Sequence, residues 1–504
     1  MVKVMKRRKR CSMTIGYGFL TMELLVALGV FAFTLSSVVT LAWSAQSVGV
    51  DADRGSAAAH RGFSMLTTYA AEAKDWDAFP NDDFEEDAYS GWRTATAISP
   101  CTKLLRASLV WDGGLGRPGS SVFETVSTNS QESMRMGGSC SPVIPGAWDN
   151  PEMRGSIALD TLTGIALTSV GGKHYALVIG EPYTEASHDF FVVDVTDTDN
   201  PLLITGITIG DGLQDIAVGD GFAYVVEDTS EDQLIVVDVR DPSEPQVVTY
   251  SSLPGVDPDP EGSYPGGVSV SFYDSRVYVG TKETAGPEFH LFDVSNPQAP
   301  NPVGSLEINH NVNDIAVYGN FAYLATSADY AELTVIDVHD PSALTLPANY
   351  MDGAVNQLKF NALNAQHAAQ AIDGTRVSVL YPYVYLGFKR ASGVYGRDFY
   401  VVSIDNASDM TEKSALQLGL ASGSHVTGIH AQYDRVFISA DDDQKSLIVA
   451  DVSNATKPAL IDPCGLRVLG SGTGLAYADR TLYGIYRTGE SLRIFTDQPS
   501  RCTI

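Results

Sequence analysis

The chain has 504 residues, of which 44% are hydrophobic, and a formal net charge of -28 at pH 7. This length exceeds one ordinary domain, so we expect two or three folding units with sizeable cores and not a disordered chain. An acid excess of this size repels phosphate backbones, which argues against nucleic acid as a partner and suits a solvated surface.

Residues 1–18 form a basic leader with six Lys and Arg residues and no acid. The next segment, Phe19–Trp43, is mostly apolar, with Glu23 as its one charged residue, and contains no proline. It is long enough to cross a bilayer as a transmembrane helix, and the basic flank should stay in the cytoplasm. We therefore predict a single-pass precursor in the inner or cytoplasmic membrane, with its C-terminal region extracytoplasmic.

Three interpretations of this segment compete. A secretory signal would be cleaved after the apolar run, and a plain membrane anchor would explain the length alone. The length of the run suits a span better than a signal, and a plain anchor leaves Glu23 unexplained, since a lone carboxylate in an apolar span costs about 2.5–3.5 kcal/mol on insertion scales. The third interpretation is that the run Gly18-Phe19-Leu20-Thr21-Met22-Glu23-Leu24-Leu25-Val26-Ala27 resembles the prepilin processing motif of type IV pilins.

The resemblance to type IV prepilins implies three roles. A prepilin peptidase would cleave after Gly18, Phe19 would become the N-methylated first residue, and Glu23 would pair with a terminal amine during assembly with other pilin subunits. An ion pair is an inexpensive way to keep a carboxylate in hydrocarbon. The chain departs from the usual motif in that Leu20 and Thr21 are exchanged.

The segment after the span is predicted to continue the first helix and then to form a small β domain. Apolar residues at helical spacing extend a pilin-like N-terminal helix over residues 19–78. Strands predicted at Trp92–Ile98, Leu104–Trp111 and Ser121–Ser127 make a small pilin-like β-meander in residues 79–130, after a loop at Pro80–Asp83. Residues 131–155, rich in Ser, Gly, Pro and Met, are predicted to be a linker.

Four cysteines would remain after removal of the leader, which contains Cys11. Outside the cytoplasm they suggest two disulfides with three possible connectivities, and the alternative is four buried thiols. Spacing favours the pairs Cys101–Cys140 and Cys464–Cys502.

Beyond residue 155 the sequence is periodic. A marker motif of apolar residues ending in Asp recurs, with marker aspartates at 194, 238, 293, 337, 405 and 451, and most copies continue with Val and a later proline. A seventh, weaker copy without the aspartate is Leu492–Phe495. A second motif recurs between the markers, as in Asp215–Val218 and Asp314–Val317. A period in the mid-forties with four short strands is typical of β-propeller blades, and seven markers predict seven blades over residues 156–504. Ser156–Asp160 could supply the outer strand of the last blade.

The marker motif resembles the LVIVD repeat of surface propellers. Its aspartate also has a structural explanation, since such a carboxylate can cap backbone N–H groups in a turn. A parallel β-helix is the alternative architecture. The predicted fold class is thus mainly β with a long N-terminal α-helix: a pilin-like helix plus small β-meander, followed by a seven-bladed β-propeller.

The sequence contains no recognisable catalytic or metal-binding pattern, and we expect no enzyme activity and no cofactor. Acidic clusters at Asp197–Asn200, Asp257–Glu261 and Asp441–Asp443 do not complete a calcium loop; solvated turns or loop calcium are the alternatives. Ligand contacts are expected in the longest insertions, at 251–266, 361–375 and 389–397.

These features favour a minor or tip pilin that displays an extracellular propeller at the cell surface or on a pilus for adhesion or ligand binding. The alternatives are a pseudopilin or membrane-anchored binding protein outside a filament, and a secreted propeller enzyme. The propeller fold alone does not decide among them, and its ligand is not predicted.

Overall fold

The computed structural model describes part of the chain. The described residues are 61–62, 65–66, 82–86, 89–99, 102–113, 117–128 and 148–149, and 151–497 without 160, 182–187, 229–230, 257–264, 329–330, 346–356, 359–371, 391–396, 405–409, 462–467, 469, 488 and 490. They divide into two compact units, one of residues 1–96 and 104–127 and one of residues 97–103 and 128–504.

The predicted fold class is wrong in its helical part, because the protein that the structure describes is nearly all β. Strands make up its elements apart from one 3-10 turn, Pro341–Ala343, and no long N-terminal helix is among them. Of the predicted helix 19–78, the structure describes only Arg61, Gly62, Met65 and Leu66, which have a helical backbone. Leu66 packs against strand residues of a sheet, so the apolar spacing that predicted a helix here reflects burial in a β core, and the rest of 19–78 lies outside the described residues. None of the described helical residues forms a segment long and apolar enough to cross a membrane.

The first unit contains a four-stranded antiparallel meander in the order β1-β2-β3-β4. Its strands are β1 Asp82–Glu86, β2 Tyr89–Ser99, β3 Thr102–Gly113 and β4 Arg117–Thr128. The three predicted strands lie within β2, β3 and β4. The strand β1 was not predicted, because Pro80–Asp83 has the composition of a loop, whereas Asp82 and Asp83 begin the strand and pair with Arg93 and Trp92 of β2. Leu105, Ala107, Leu109 and Phe123 alternate inward to form its core with Leu66.

The second unit contains seven four-stranded antiparallel sheets, which we number as blades 1 to 7. Blade 1 is β6 Thr161–Val170, β7 Lys173–Glu181, β8 Phe190–Asp194 and β9 Leu202–Ile207; blade 2 is β10 Leu213–Gly219, β11 Phe222–Glu227, β12 Leu234–Asp238 and β13 Gln246–Ser251; blade 3 is β14 Gly267–Tyr273, β15 Arg276–Thr281, β16 Phe289–Asp293 and β17 Asn301–Leu306; blade 4 is β18 Val312–Tyr318, β19 Phe321–Thr326, β20 Leu333–Asp337 and β21 Gln357–Leu358.

The remaining blades continue this pattern until the last. Blade 5 is β22 Ile372–Leu380, β23 Tyr383–Arg390, β24 Phe399–Ser403 and β25 Thr411–Leu416; blade 6 is β26 Val426–Gln432, β27 Arg435–Ala440, β28 Leu447–Asp451 and β29 Ala459–Ile461. Blade 7 is β30 Gly472–Ala478, β31 Thr481–Tyr486 and β32 Leu492–Asp497, and its fourth strand is β5, Pro151–Ile157. The first strand of each blade contacts the first strand of the next, and β30 contacts β6, so the blades form a closed ring.

The ring is closed where β5 joins β32, which confirms the predicted closure by a strand from before the first blade. The strand begins five residues earlier than predicted and includes Pro151–Gly155, which sequence analysis had placed in the linker. Arg154 donates two hydrogen bonds to Asp199 in the turn after β8, at 2.7 and 2.8 Å, and so fastens β5 to blade 1. The junction between blades 7 and 1, which we call the seam, also has an apolar core formed by residues of both blades.

Apolar packing between blades holds the ring together. The middle strands are buried on both faces, as in β11 and β12, because each blade lies between two neighbours. Each hydrophobic cluster of the propeller therefore draws on adjacent blades; Ile179 and Val192 of blade 1, for example, pack with Val225 and Ile235 of blade 2.

The marker aspartates cap turns, as the sequence predicted. Asp194, Asp238, Asp293, Asp337 and Asp451 each accept a hydrogen bond from the backbone N–H two residues on. A second polar residue three positions later repeats the arrangement in four blades, namely Asp197, Asp241, Asp340 and Asn454. Two consecutive Asx turns thus join the third and fourth strands of these blades.

Candidate functional site

The central channel of the propeller is shaped by a β-bulge that recurs in all seven blades. The pairing of the first strand with the second shifts in register at the start of β6, β10, β14, β18, β22, β26 and β30. Bulges re-aim side chains next to binding sites. The residue that follows the shift, which we call the third position, is Gly164, Asp215, Ser269, Asp314, Arg376, Gly428 or Gly474 in blades 1 to 7.

A cavity of about 180 Å³ is lined by all of these residues except Ser269, next to which Val270 lines it. Its wall contains Asp215, Asp314 and Arg376 on blades 2, 4 and 5, whereas blades 6, 7 and 1 contribute glycines. The channel is therefore asymmetric: one part carries charged side chains, and the other presents backbone and the hydroxyl-bearing residues Thr163, Thr427 and Thr473.

The two channel aspartates join neighbouring blades. Asp215 accepts hydrogen bonds from Ile216 N and from Val270 N of blade 3, both at 2.9 Å. Asp314 repeats this arrangement with Ile315 N at 2.9 Å and with Val377 N of blade 5 at 2.8 Å. Each carboxylate thus links the inner edges of two successive blades. This is a structural role that needs no ligand.

Their surroundings disfavour the charged form of both carboxylates. Burial raises the pKa of Asp215 to about 7, and the negative charge of Asp314 adds to the rise. Burial also raises the pKa of Asp314, and the positive charge of Arg376 opposes that rise. Both groups keep their backbone hydrogen bonds, which favour the carboxylate, so burial is the dominant effect.

Arg376 supplies the positive charge of the channel wall. Its Nε donates to Thr427 O at 2.7 Å, and its Nη1 donates to Thr375 O at 2.9 Å and to Asn313 O at 3.3 Å. All these acceptors are neutral carbonyl oxygens, and no ion pair of Arg376 occurs among the described residues. Its charge acts through space on Asp314 and Asp215 but is not held in an ion pair among the described residues, so a bound anion could pair with it.

The raised pKa of Asp215 predicts a pH dependence of stability. The folded protein keeps a proton on Asp215 that the unfolded chain releases near pH 4, so the free energy of unfolding should fall as pH rises from about 4 to 7. We expect this decline to be about 2 kcal/mol, because the carboxylate faces a cavity and is not fully enclosed. Asp215→Asn should remove it, as urea unfolding at several pH values would measure.

A matched control is Asp238→Asn. The hydrogen bond from Arg240 lowers the pKa of Asp238, so its stabilising contribution is lost only as pH falls through that lowered pKa, below about 4. The control should therefore leave the decline in the free energy of unfolding between pH 4 and 7 as large as in the unmutated protein. If the free energy of unfolding fell equally with pH in Asp215→Asn and in the unmutated protein, the raised pKa of Asp215 would be contradicted.

The site residues predicted from the sequence lie outside the described residues. This applies to Gly18, Phe19 and Glu23 of the processing motif and to the candidate cysteines Cys101, Cys140, Cys464 and Cys502. Most residues of the predicted ligand-contact insertions also lie outside them, although the insertion 361–375 ends at the described Thr375 and Arg376 follows it directly.

The acidic clusters that the structure describes are engaged in turns and pairs. Asp197 caps Asp199 N at 3.0 Å, and Asp199 is bound by Arg154. Asp442 accepts from Gln444 N and Ala421 N, at 2.8 and 2.6 Å. Within the described ranges, no three His, Cys, Asp or Glu side chains come together as a metal site would need.

The fold and these repeats define a β-propeller that carries LVIVD repeats in the C-terminal part of the chain. A family model for the LVIVD repeat matches residues 212–250, 310–352 and 440–464, about a fifth of the chain. The first match covers nearly all of blade 2, the second covers most of blade 4, and the third covers β28 and β29 of blade 6. The resemblance to LVIVD repeats stated from the sequence is confirmed. No curated protein matches the chain.

Solved structures of other propellers and related proteins are similar to the chain at low identity. The β-propeller domain of Cps50 (Swd1) from Myceliophteria thermophila has 8% identity and a TM-score of 0.46, over 68% of this chain and 99% of that one. BamB from Moraxella catarrhalis has 11% identity and a TM-score of 0.40, over 70% of this chain and 92% of that one.

Proposed function

We propose that the chain is a pilin-like surface protein, processed as a type IV prepilin, whose propeller binds a ligand outside the cell. The observation that carries this proposal is the order of parts in one chain. A basic leader, Gly18-Phe19 and Glu23 precede an apolar run, and a closed seven-bladed ring follows. A ring of this size is too bulky to pack along a filament shaft, so a tip or sparse position as a minor pilin fits it best.

The N-terminal segment would supply processing and assembly. The prepilin peptidase would cleave after Gly18 in the membrane and leave Phe19 as the methylated first residue. Glu23 would then lie near the terminal amine of another pilin subunit, where an ion pair offsets the cost of its charge in hydrocarbon. The propeller would remain extracytoplasmic, first on the membrane and then at the cell surface or on the pilus.

Mass spectrometry of the mature N-terminus tests the processing step. We expect a chain that begins with methylated Phe19, and Gly18→Leu should leave the leader attached. An intact leader on the unmutated protein, or a cut beyond Ala42, would contradict the proposal.

Glu23→Ala separates the leading proposal from its alternative, a pseudopilin or membrane-anchored binding protein outside a filament. The variant should still be cleaved after Gly18 but should lose incorporation into filaments, because the carboxylate that pairs with the neighbouring amine is gone. Thr21→Ala is a suitable control with the pairing group intact. Unchanged surface display and assembly in Glu23→Ala would favour the plain anchor.

For the propeller, we propose binding and not catalysis. Asp215 and Asp314 each have both carboxylate oxygens engaged by backbone N–H groups, so neither is free to act as a base on a bound molecule without opening an inter-blade clamp. Adhesion or ligand capture needs only a shaped polar cavity on a rigid ring, which the channel provides.

A further inference from the structure

The inner edge of the propeller offers one backbone N–H group per blade at the residue after the third position. In blades 2 and 4 these are Ile216 N and Ile315 N, and in blades 3 and 5 they are Val270 N and Val377 N. All four donate to a channel aspartate at 2.8–2.9 Å. The protein therefore satisfies four successive inner N–H groups with two of its own carboxylates.

The other three blades have the same backbone without the carboxylate. Ile429, Leu475 and Ile165 occupy the same register position in blades 6, 7 and 1, each after a third-position glycine, and all three line the cavity. No side chain among the described residues accepts a hydrogen bond from their N–H groups. Because these blades are consecutive, their three N–H groups lie side by side in one sector of the channel wall.

An unpaired hydroxyl lies in the same sector. The residue before the third position joins its blade to the next in several places: Thr163 donates to Leu213 O, Thr375 to Val426 O and Thr427 to Gly472 O, each at 2.8 Å. Thr473 occupies this position in blade 7, and its buried Oγ1 has no partner among the described residues. A buried hydroxyl without a partner is unfavourable by about 1–3 kcal/mol, so a bound acceptor there would be stabilised.

We propose that this sector, formed by Ile429 N, Leu475 N, Ile165 N and Thr473 Oγ1 with Arg376 at its border, binds the carboxylate of a small organic acid. The aspartates of blades 2 and 4 show how a carboxylate can bind here, because the two oxygens of each accept hydrogen bonds from N–H groups of adjacent blades. The Arg376 guanidinium, which has no ion pair among the described residues, supplies the charge that an anion needs in so acidic a protein. The cavity exceeds severalfold the roughly 30 Å³ of one water molecule.

The site would therefore select a compact acid that reaches it with its carboxylate first. Asp314, and Asp215 where it is ionised, would repel a second anion, but each is held against backbone N–H groups of blades 2 to 5 and not of blades 6, 7 and 1. This inference rests on the proposed binding role of the propeller and gives its ligand a chemical class. It does not depend on processing at Gly18 or on filament assembly.

Calorimetric titration of the purified full chain with sodium acetate, at constant ionic strength against sodium chloride, tests the site. We expect one saturable binding event and a rise in the midpoint of thermal unfolding. Thr473→Val should weaken acetate binding about fivefold to tenfold without lowering stability, because the hydroxyl it removes is unpaired. A protein that shows no acetate-specific heat or stabilisation would overturn the proposal, and so would binding of inorganic phosphate in place of acetate.

Gly474→Asp would place a carboxylate of the protein itself in the proposed site, where it would compete with acetate. A Cβ atom at Gly474 would lie 3.2 Å from Ile485 Cδ1 and 3.3 Å from Ile485 Cγ1, so a side chain there needs only a small shift of Ile485. Its carboxylate should take the place that Asp215 takes in blade 2 and abolish acetate binding, whereas Gly474→Asn, of the same size and without charge, should retain more of it. Acetate binding as in the unmutated protein by both Thr473→Val and a folded Gly474→Asp would refute the site. If Gly474→Asp does not fold, acetate binding by Thr473→Val alone tests the site.

Discussion

Replacing Gly155 with valine is expected to detach β5 from blade 7 and to lower the free energy of unfolding by about 4 kcal/mol. A Cβ atom at this position would lie 2.5 Å from the carbonyl oxygen of Thr198 in blade 1, so the strand cannot stay in place. Its loss removes a ladder of hydrogen bonds to β32, each worth about 0.5–1.5 kcal/mol. Urea unfolding and amide hydrogen exchange of Leu492–Asp497 would measure the two effects.

Gly304→Val is the matched control. Gly304 occupies the same register in β17 as Gly155 does in β5, and a Cβ atom there would meet the carbonyl oxygen of Pro341 in the next blade. Because chain connections hold β17 on both sides, this variant should be strained without exposing β32. Equal hydrogen exchange of β32 in the two variants would contradict a special role for the seam.

Trp148→Ala is expected to destabilise the propeller by about 3–5 kcal/mol, the range for a large aromatic side chain removed from a core. Trp148 is fully buried, and its ring centroid lies 4.7 Å from that of Phe437 in an edge-on contact and 6.1 Å from that of Tyr477. It thus joins the core between blades 6 and 7. Denaturant unfolding followed by far-UV circular dichroism would measure the loss.

Tyr433→Ala is the control for Trp148→Ala, since Tyr433 belongs to the same unit but is 48% exposed. Its removal should change stability by no more than about 0.5 kcal/mol. Comparable destabilisation by both variants would show that Trp148 is not an anchor of the ring.

The propeller could be predicted from the sequence because each blade repeats its turn chemistry. The marker aspartates and prolines recur where Asx turns follow the third strand, and the spacing of the copies fixes the number of blades. Trp148 and Pro151–Gly155 could not be placed, because they lie in a segment of loop-like composition. Their burial and pairing depend on contacts with residues more than 280 positions away.

The candidate site was only partly visible in the sequence. Asp215 and Asp314 were recognised as repeated motif residues, and an aspartate in an otherwise apolar strand is the signal that could have marked the channel. Arg376 belongs to no repeated motif, since it follows an insertion directly. The free N–H groups of Ile429, Leu475 and Ile165 cannot be read from side-chain identity, because they arise from the register of the bulges and from neighbouring glycines.

The position of β5 also determines how mechanical load enters the ring. Among the described residues of the propeller, Trp148 and then β5 come first in the chain. A force that enters the ring through this segment would load β5, the strand that closes the ring, and the Arg154–Asp199 contact would share that load with blade 1. The sector formed by blades 6, 7 and 1 spans this same seam. An acid bound there would link blades 7 and 1 and so raise the force at which the ring opens.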